Sequence, residues 1–362
     1  MNIEKIKSTV NDVMLKINLQ KLYKTTKRAV PCYKKLTKTQ KLEIKEYYKT
    51  KYGLDVTTKW HELLYSLTGV YRVNYMPFDV YHIMNNTLSP YRYKRVLDDK
   101  VLYDWQLSNC RLPKRLFSAC NGCFYYYLGG VKTECSKQTL LVKMRHVDDC
   151  IIKPSKGSSA GIGVSSFVVK DGFIEGQTSS LESFIDSYKG NFVVEEKISN
   201  NENLKVLNPS SCNTLRIHTW RDRTKGKIIF VSAFLRIGRD GAIVDNAFAG
   251  GIAIPIDRNG ILSNSGCTFK PSYSRIDQSD TGITLKGYKL DLFEEMISVC
   301  IKAHENLPHF DLLGWDVTVN DKNEIIVIEY NPDADMRMDQ LIFLDNCLLE
   351  MEEPIMQSAY RK

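Results

Sequence analysis

The chain has 362 residues, 43% of them hydrophobic and 25% charged, which is long enough for two or three lobes around a large core and typical of a globular protein. No run of about 18 apolar residues occurs, which excludes a membrane-spanning helix. The first residues lack the apolar segment of a signal peptide. The 10 scattered cysteines favour reduced thiols over a disulfide scaffold, so we expect a cytoplasmic protein.

The net charge of +8 is concentrated in the N-terminal arm. Residues 1–52 contain 14 Lys/Arg and 4 Asp/Glu, and the rest of the chain has a slightly negative balance. Apolar residues recur at helical spacing among the lysines of 1–30, and 38–51 is predicted to be a second basic helix. This arm fits either a solvated helical surface packed on the body or a peripheral contact with the inner face of an anionic membrane. Nucleic acid is not expected, because no recognisable binding module accompanies the charge.

The first distinctive motif is a loop of small residues between two predicted antiparallel strands. The strand Cys150–Ile152 leads into Lys153, and the returning strand covers Val164–Lys170. The loop between them contains small residues that let the backbone approach a ligand closely: Ser155, Gly157, Ser158, Ser159, Gly161 and Gly163. Backbone N–H groups and a lysine suit a phosphate, although a plain Gly/Ser-rich turn is the alternative. The spacing excludes a P-loop and a dinucleotide-binding fingerprint.

Two further features concern single charged or sulfur-containing side chains. Arg216 interrupts an otherwise apolar strand over 214–220 and therefore needs an anion. A phosphate, a carboxylate substrate or a structural Asp would each satisfy it. Cys120-Asn-Gly-Cys123 has the spacing of a zinc knuckle, but the second such pair is missing, so metal binding by Cys120 and Cys123 is left open.

The most specific pattern is a hairpin near the C-terminus. A strand over 312–320, a turn and a second strand over 325–331 are predicted. Because side chains alternate along a strand, Glu329 and Asn331 share a face, and Asp316 can join them from the first strand. Two carboxylates and an amide oxygen are hard ligands suited to Mg²⁺. We discount a salt-bridged hairpin, because neither strand supplies a basic partner for these carboxylates.

These motifs follow one another in the order found in the ATP-grasp family, which residues 60–345 resemble. The motifs in question are Asp99-Lys100, the Lys153 loop, Glu195-Glu196-Lys197-Ile198, Asn213-Thr-Leu-Arg216, Asp245-Asn246 with Gly250-Gly251, Gly314-Trp-Asp316 and Glu329-Tyr-Asn331. The loop is similar to that of D-alanine–D-alanine ligases, and the closest branch is the sugar-transfer-associated ATP-grasp family of surface-polysaccharide biosynthesis. The resemblance implies an α+β ATP-grasp fold in which two α/β lobes clasp ATP, preceded by the basic helical arm. It places the arm at 1–52, a substrate or lid region at 53–135, the small lobe at 136–200 and the large lobe at 201–362.

The resemblance also implies roles for individual residues. ATP would contact Lys100, Lys153, Ser158, Ser159 and Gly161 through its phosphates and Glu196, Lys197 and Ile198 through adenine. Its ribose would contact Glu202, with Asn203 as the alternative. Mg²⁺ would be held by Asp316, Glu329 and Asn331. The predicted catalytic residues are Lys153 and Arg216, and the predicted substrate contacts are Arg216, Arg236, Asn246, Gly250 and Gly251. One departure is Gly314, where D-alanine ligases have an arginine, so an arginine that stabilises the oxyanion must come from elsewhere, with Arg216 and Arg236 as the candidates.

The expected function is that of an ATP-dependent carboxylate–amine ligase, which forms an amide through an acyl-phosphate and modifies a sugar or sugar precursor of a bacterial capsule or O-antigen. Its cofactors would be ATP and Mg²⁺, and its partners small-molecule carboxylates and amines such as sugars or amino acids. A kinase that phosphorylates a sugar-like hydroxyl and a non-catalytic partner of glycosyltransferases are the alternatives. The oligomeric state is left open.

Overall fold

A computed structural model of the protein describes residues 17–28, 30, 32–145, 147–157, 161–170, 172–175, 179–239, 241–263, 265–334 and 336–360. The described residues form two compact units, one up to Pro90 together with the segment from Ala334 onward, the other from Tyr91 to Asp333. Both helices and strands are present, which confirms the predicted α+β class. Ser158 and Ser159 lie outside the described residues, so their predicted phosphate contacts stay predictions.

The helices are, in chain order, α1 (17–28), α2 (Lys38–Tyr52), α3 (Lys59–Thr68), α4 (Phe78–Leu88), α5 (Tyr91–Leu97), α6 (Tyr103–Gln106), α7 (Lys137–Met144), α8 (Leu181–Asp186), α9 (Glu202–Lys205), α10 (Phe293–Glu305), α11 (Met336–Phe343) and α12 (Glu352–Tyr360). Short 3₁₀ turns occupy Lys100–Leu102, Ala247–Ala249 and Leu349–Met351. None of the described helices is both long and apolar enough to cross a membrane.

The first unit is helical, and it contains the predicted second basic helix, α2. A capping box starts this helix, because the Thr37 hydroxyl accepts from the Gln40 backbone N–H while the Gln40 side chain accepts from the backbone N–H of Thr37. Gly53, with a φ of 70°, ends it. Ile44 and Tyr48 are buried, so this basic helix packs one face against its own unit.

The strands are β1 (Arg115–Cys120), β2 (Cys123–Leu128), β3 (Val131–Cys135), β4 (Cys150–Pro154), β5 (Ser165–Phe167), β6 (Val169–Lys170), β7 (Phe173–Ile174), β8 (Phe192–Glu196), β9 (Thr214–Asp222), β10 (Lys227–Ile237), β11 (Ile252–Ile256), β12 (Gly266–Thr268), β13 (Ser274–Ile276), β14 (Leu312–Val319) and β15 (Ile325–Asn331). Over the described ranges they build a smaller sheet in the order β3-β2-β1-β8-β4-β5 and a larger one in the order β13-β12-β11-β10-β9-β14-β15. The pair β6–β7 forms a separate ribbon.

Each sheet has an apolar face covered by helices. In the smaller sheet, alternate residues of β1, β4 and β8 pack with α7 and α8; this cluster includes Phe117, Ile152, Val194, Leu140 and Leu181. In the larger sheet, alternate residues of β9, β10 and β14 pack with α10; this cluster includes Leu215, Leu235, Trp315, Met296 and Cys300. The opposite faces therefore receive the polar side chains of the same strands, because successive side chains point to opposite sides.

Two predicted elements differ in detail from the structure. The apolar residues of 97–107 recur at helical spacing, which predicts a helix, but the structure has a 3₁₀ turn at Lys100–Leu102 followed by the short α6. Asp99 starts the turn, because its carboxylate accepts a hydrogen bond from the Val101 N–H at 3.1 Å. The strand expected over 164–170 is divided into β5 and β6, and only β5 pairs with β4.

Candidate active site

The hairpin β14–β15 brings the predicted metal ligands to one place. Asp316 lies opposite Glu329 in the strand register, and Gly314 lies opposite Asn331. As register partners, Asp316 and Glu329 project their side chains to the same face of the sheet. The shared face follows from strand alternation, as the sequence indicated.

Asp316 is buried between two arginines. The Arg216 Nε donates to the Asp316 Oδ1 at 2.6 Å, and the Arg236 guanidinium lies 2.9 Å from the Asp316 Oδ2. Burial alone would raise the pKa of Asp316, but the charges of Arg216 and Arg236 outweigh it and hold that pKa well below its usual range. Discounting a salt bridge at this hairpin was therefore wrong. The cationic partners come from the neighbouring strands β9 and β10 and not from the two hairpin strands.

Arg236 belongs to a second set of buried polar contacts. Its guanidinium donates to the Thr214 hydroxyl at 2.6 Å and lies 3.6 Å from the Asp245 carboxylate, which also accepts from Thr214. Burial would lower the pKa of Arg236, but Asp245 and Asp316 raise it. Arg236 is therefore a permanent cation that links Asp245 to Asp316.

The other predicted substrate residues shape the loop between β10 and β11. The Asn246 side chain accepts from the Phe248 N–H at 2.8 Å and so caps the 3₁₀ turn. Gly250 has a φ of 120°, and a Cβ atom on Gly251 would lie 2.3 Å from the Asp245 carbonyl oxygen. Close backbone packing thus accounts for Gly251, and its contact with a substrate stays a prediction.

Lys100 joins the hairpin from the 3₁₀ turn of the same unit. Its Nζ lies 3.2 Å from the Glu329 Oε2, and its backbone N–H donates to the Ser155 carbonyl oxygen at 2.9 Å. The neighbouring Asp99 pairs with Lys156 at 3.1 Å. Burial would lower the pKa of Lys100, but the Glu329 carboxylate raises it. A charged lysine is therefore fixed between the metal-ligand hairpin and the start of the glycine loop.

Lys153 has a carboxylate partner that the sequence analysis did not assign to the site. Its Nζ lies 2.7 Å from the Glu195 Oε2, and Arg115 contacts the other oxygen of Glu195 at 2.9 Å. All three side chains are buried. Burial would raise the pKa of Glu195, but Lys153 and Arg115 lower it. The alternation of charged residues in β8 could have indicated Glu195, because Glu195 and Glu196 must point to opposite faces.

The glycine loop adopts conformations that favour glycine at three described positions. Gly157 has a φ of 65°, and Gly161 and Gly163 both have a φ of 76°. A Cβ atom on Gly161 would lie 3.2 Å from Val244, and one on Gly163 would lie 2.8 Å from Pro154. The loop therefore comes close to the segment that carries Asp245, and its backbone can approach a ligand.

The residues predicted to contact adenine and ribose lie at the end of β8 and the start of α9. Glu196 pairs with Lys114, Lys197 lies 3.1 Å from Asp149, and Ile198 is half-buried. Glu202 is exposed on the first turn of α9. These side chains are available at the surface, and their contact with ATP stays a prediction.

The donor set of the hairpin fits Mg²⁺. Asp316, Glu329 and Asn331 carry hard oxygen atoms of the kind that Mg²⁺ prefers. The Asn331 Nδ2 is buried without a hydrogen-bond partner, and because it is a donor it suits a phosphate oxygen and not the metal. No group of three His, Cys, Asp or Glu side chains in the described part of the chain is arranged around a metal position. Mg²⁺ is usually held in proteins by one or two carboxylates together with phosphate and water.

The family model described as sugar-transfer associated ATP-grasp matches residues 83–350, about three quarters of the chain. The chain belongs to the sugar-transfer associated ATP-grasp family. This membership confirms the predicted family, the ATP-grasp fold and the expectation of an ATP-grasp enzyme. A comparison with curated proteins found no match.

Solved structures of ATP-grasp proteins are similar to the chain at low identity. A structure of the ATP-grasp ligase PsnB with a minimal precursor, Mg and ADP shares 12% identity, with a TM-score of 0.41, over 76% of this chain and 62% of PsnB. N5-carboxyaminoimidazole synthetase from Staphylococcus aureus with ADP shares 10%, with a TM-score of 0.38, over 72% of this chain and 54% of that protein. N5-carboxyaminoimidazole ribonucleotide synthetase from Thermotoga maritima shares 11%, with a TM-score of 0.38, over 83% and 56%. The chain thus spans less than two thirds of each, and similarities of this size carry no argument about its reaction.

Proposed function

We propose that this protein is an ATP-dependent carboxylate–amine ligase that forms an amide through an acyl-phosphate. The observation that carries the proposal is the convergence of four cations and three metal-ligand side chains in one unit. Lys100, Arg216 and Arg236 meet Asp316 and Glu329 beside the Asn331 Nδ2, a buried donor without a hydrogen-bond partner, and Lys153 stands at the start of the glycine loop. Burying so many charged groups costs desolvation free energy, which is expected of a site that binds polyanions.

The cations would neutralise the phosphates of ATP. Lys100 and Lys153 each contact a carboxylate in the structure, and each would exchange part of that contact for a phosphate oxygen. Asp316, Glu329 and Asn331 would hold Mg²⁺. When bound, that ion supplies positive charge to the β- and γ-phosphates.

The two arginines would act on the acid substrate. Arg216 and Arg236 both face Asp316, and their guanidinium groups would orient a carboxylate or stabilise the oxyanion that forms when an amine attacks the acyl-phosphate. No protein nucleophile is required by this chemistry. The two histidines near the larger sheet are bonded within the core: the His304 ring contacts Thr219 and Phe310, and the His218 ring contacts Ser232.

The substrates would be a sugar or sugar precursor and an amino acid or similar compound, and the product would enter surface-polysaccharide biosynthesis in a bacterial cytoplasm. The sugar-transfer association of the family supports this part of the proposal. The basic helix α2 carries exposed lysines, including Lys38, Lys45 and Lys49, which would suit a peripheral contact with an anionic membrane surface.

The decisive experiment is to follow ATP with Mg²⁺ and a panel of amino acids, uronic acids and amino sugars. A ligase releases ADP and free phosphate in equal amounts, and only when acid and amine are both present. ADP without free phosphate would show that the phosphoryl group stays on an acceptor, and a kinase would replace the ligase. Nucleotide binding without turnover across the whole panel would favour the non-catalytic role.

A further inference from the structure

Two cysteines face each other at the tip of the β1–β2 hairpin. Cys120 and Cys123 are register partners across the two-residue turn Asn121-Gly122, in which both residues have positive φ values of 50° and 82°. Both cysteines are free thiols, Cys123 exposed and Cys120 half-buried. Register partners in an antiparallel pair project to the same face of the sheet, and Cα atoms of such a pair stand about 4.5–5.5 Å apart, within the range that a disulfide spans.

The two thiols lie on the polar face of the smaller sheet. Ser118 lies two residues before Cys120 on β1, so their side chains share a face. Ser118 is opposite Val193 of β8, and Val193 shares its face with Glu195 and is opposite Lys153 of β4. Cys120 therefore lies on the face that carries Glu195 and Lys153. The nearby Cys135 is paired with Phe124 and packs with the apolar cluster on the other face. A three-thiol metal site is therefore excluded for this hairpin, and the pair Cys120–Cys123 is left as a dithiol.

The hairpin tip is connected to the start of the glycine loop. The Asn121 N–H donates to the Asn191 side chain at 3.1 Å, and the Gly122 N–H donates to the Gly190 carbonyl oxygen at 3.2 Å. The Asn191 carbonyl oxygen in turn accepts from the Ser155 N–H at 3.2 Å.

We propose that Cys120 and Cys123 form a reversible thiol-modification site that reacts with oxidised low-molecular-weight thiols of the glutathione type. The exposed Cys123 thiolate attacks the small disulfide, forms a mixed disulfide and releases one small thiol. Cys120 then loses its proton and attacks the Cys123 sulfur, which forms the Cys120–Cys123 disulfide and releases the second small thiol. Two protein thiols are oxidised, and one small disulfide is reduced to two thiols.

The disulfide would change nucleotide binding, a consequence that rests on the proposed function. Closing the bond fixes the Asn121-Gly122 turn, and the hydrogen bonds through Asn191 connect that turn to Ser155 and hence to Lys153. We expect the affinity for Mg·ATP to fall by about tenfold, the equivalent of losing one well-positioned charged hydrogen bond.

The site itself can be tested without any assay of activity. The folded full-length protein is incubated with oxidised glutathione, alkylated and digested with trypsin. The peptide Leu116–Lys132 contains Cys120 and Cys123 and no other cysteine, and Cys135 falls in the next peptide. The expected product is this peptide with two hydrogens fewer and no alkyl group, restored by a reductant. The proposal would be overturned if the peptide stays doubly alkylated or carries glutathione on both cysteines. It would also be overturned if the folded protein binds zinc through Cys120 and Cys123.

Two variants separate this site from the ligase proposal. Cys120→Ser should accumulate the mixed disulfide on Cys123 and keep its nucleotide affinity under oxidation, whereas Cys135→Ser should behave as the wild type. If the peptide disulfide forms but Mg·ATP never binds the reduced protein, the modification site stands and the proposed nucleotide site fails. If Mg·ATP binds with equal affinity before and after the disulfide forms, the link through Asn191 is refuted.

Discussion

The Arg115 guanidinium lies 2.9 Å from the Glu195 carboxylate and donates to the Lys100 carbonyl oxygen at 2.7 Å. Glu195 is the partner of Lys153, so one buried arginine fixes the backbone of one predicted phosphate lysine and the counterion of the other. Arg115 therefore acts as a positioning residue for Lys100 and Lys153. It acts through the Lys100 backbone and the Glu195 carboxylate.

Replacing Arg115 tests this relationship. Arg115→Met should lower the free energy of unfolding by about 3 kcal/mol, because Glu195 is left with a single buried cation. It should also raise the KM for ATP, since Glu195 then holds Lys153 more tightly. Chemical denaturation and steady-state kinetics give the two values.

The double variant Arg115→Met with Glu195→Met serves as the control. It removes the Arg115–Glu195 pair but leaves Lys153 as a buried cation without its carboxylate, so we expect only part of the stability to return. Lys153 would then lack its counterion and its fixed position, and the KM should stay raised. If the double variant regains both stability and the wild-type KM, Arg115 has only a structural role.

The metal-ligand assignment is tested at Glu329. Glu329→Gln keeps the size of the side chain but removes one negative charge from the proposed Mg²⁺ site. We expect turnover to fall by about 100-fold or more and the Mg²⁺ concentration for half-maximal activity to rise. Glu182→Gln, at an exposed side chain of helix α8, is the matched control and should leave both unchanged. Unchanged Mg²⁺ dependence in Glu329→Gln would mean that the metal binds elsewhere.

Much of the site was accessible from the sequence, because local patterns determine strands and the face to which each side chain points. The alternation that placed Glu329 and Asn331 together is of this kind. The ion pairs Arg216–Asp316 and Lys153–Glu195 depend on which strands are neighbours, and β9 is separated from β14 by 89 residues of chain. The sequence indicated that Arg216 needs an anion, with a structural Asp as one candidate, but no local pattern contains the strand order that makes Asp316 its partner.

The two adjacent glycines of the β10–β11 loop should respond differently to substitution. Gly251→Ala places a Cβ atom 2.3 Å from the Asp245 carbonyl oxygen and should cost about 3 kcal/mol of stability through displacement of the backbone beside Arg236. Gly250→Ala meets no atom within 4 Å but has a φ of 120°, so it should cost about 1–2 kcal/mol from backbone strain. Denaturation midpoints of the two variants give the comparison. Equal losses would contradict the role of close packing at Gly251.

The pH dependence of stability should carry the signature of His304. The His304 Nε2 donates to the Phe310 carbonyl oxygen at 3.0 Å, so in the neutral ring the Nδ1 is the acceptor. It accepts from the Thr219 hydroxyl at 2.8 Å, and that hydroxyl in turn accepts from the Trp315 indole N–H at 2.8 Å. This network holds the ring neutral. Burial lowers the pKa of His304 from 6.5 to about 3.

Above pH 6.5 neither the folded nor the unfolded state binds this proton. Between pH 6.5 and 3 the unfolded state binds it and the folded state does not, so His304 should reduce the free energy of unfolding by about 1.4 kcal/mol for each unit that the pH falls. Denaturation curves measured from pH 7 to 4.5 test this, and His304→Asn, which keeps a neutral polar side chain, should remove that part of the slope. A slope that is the same in the wild type and in His304→Asn would show that other groups account for the loss of stability in acid.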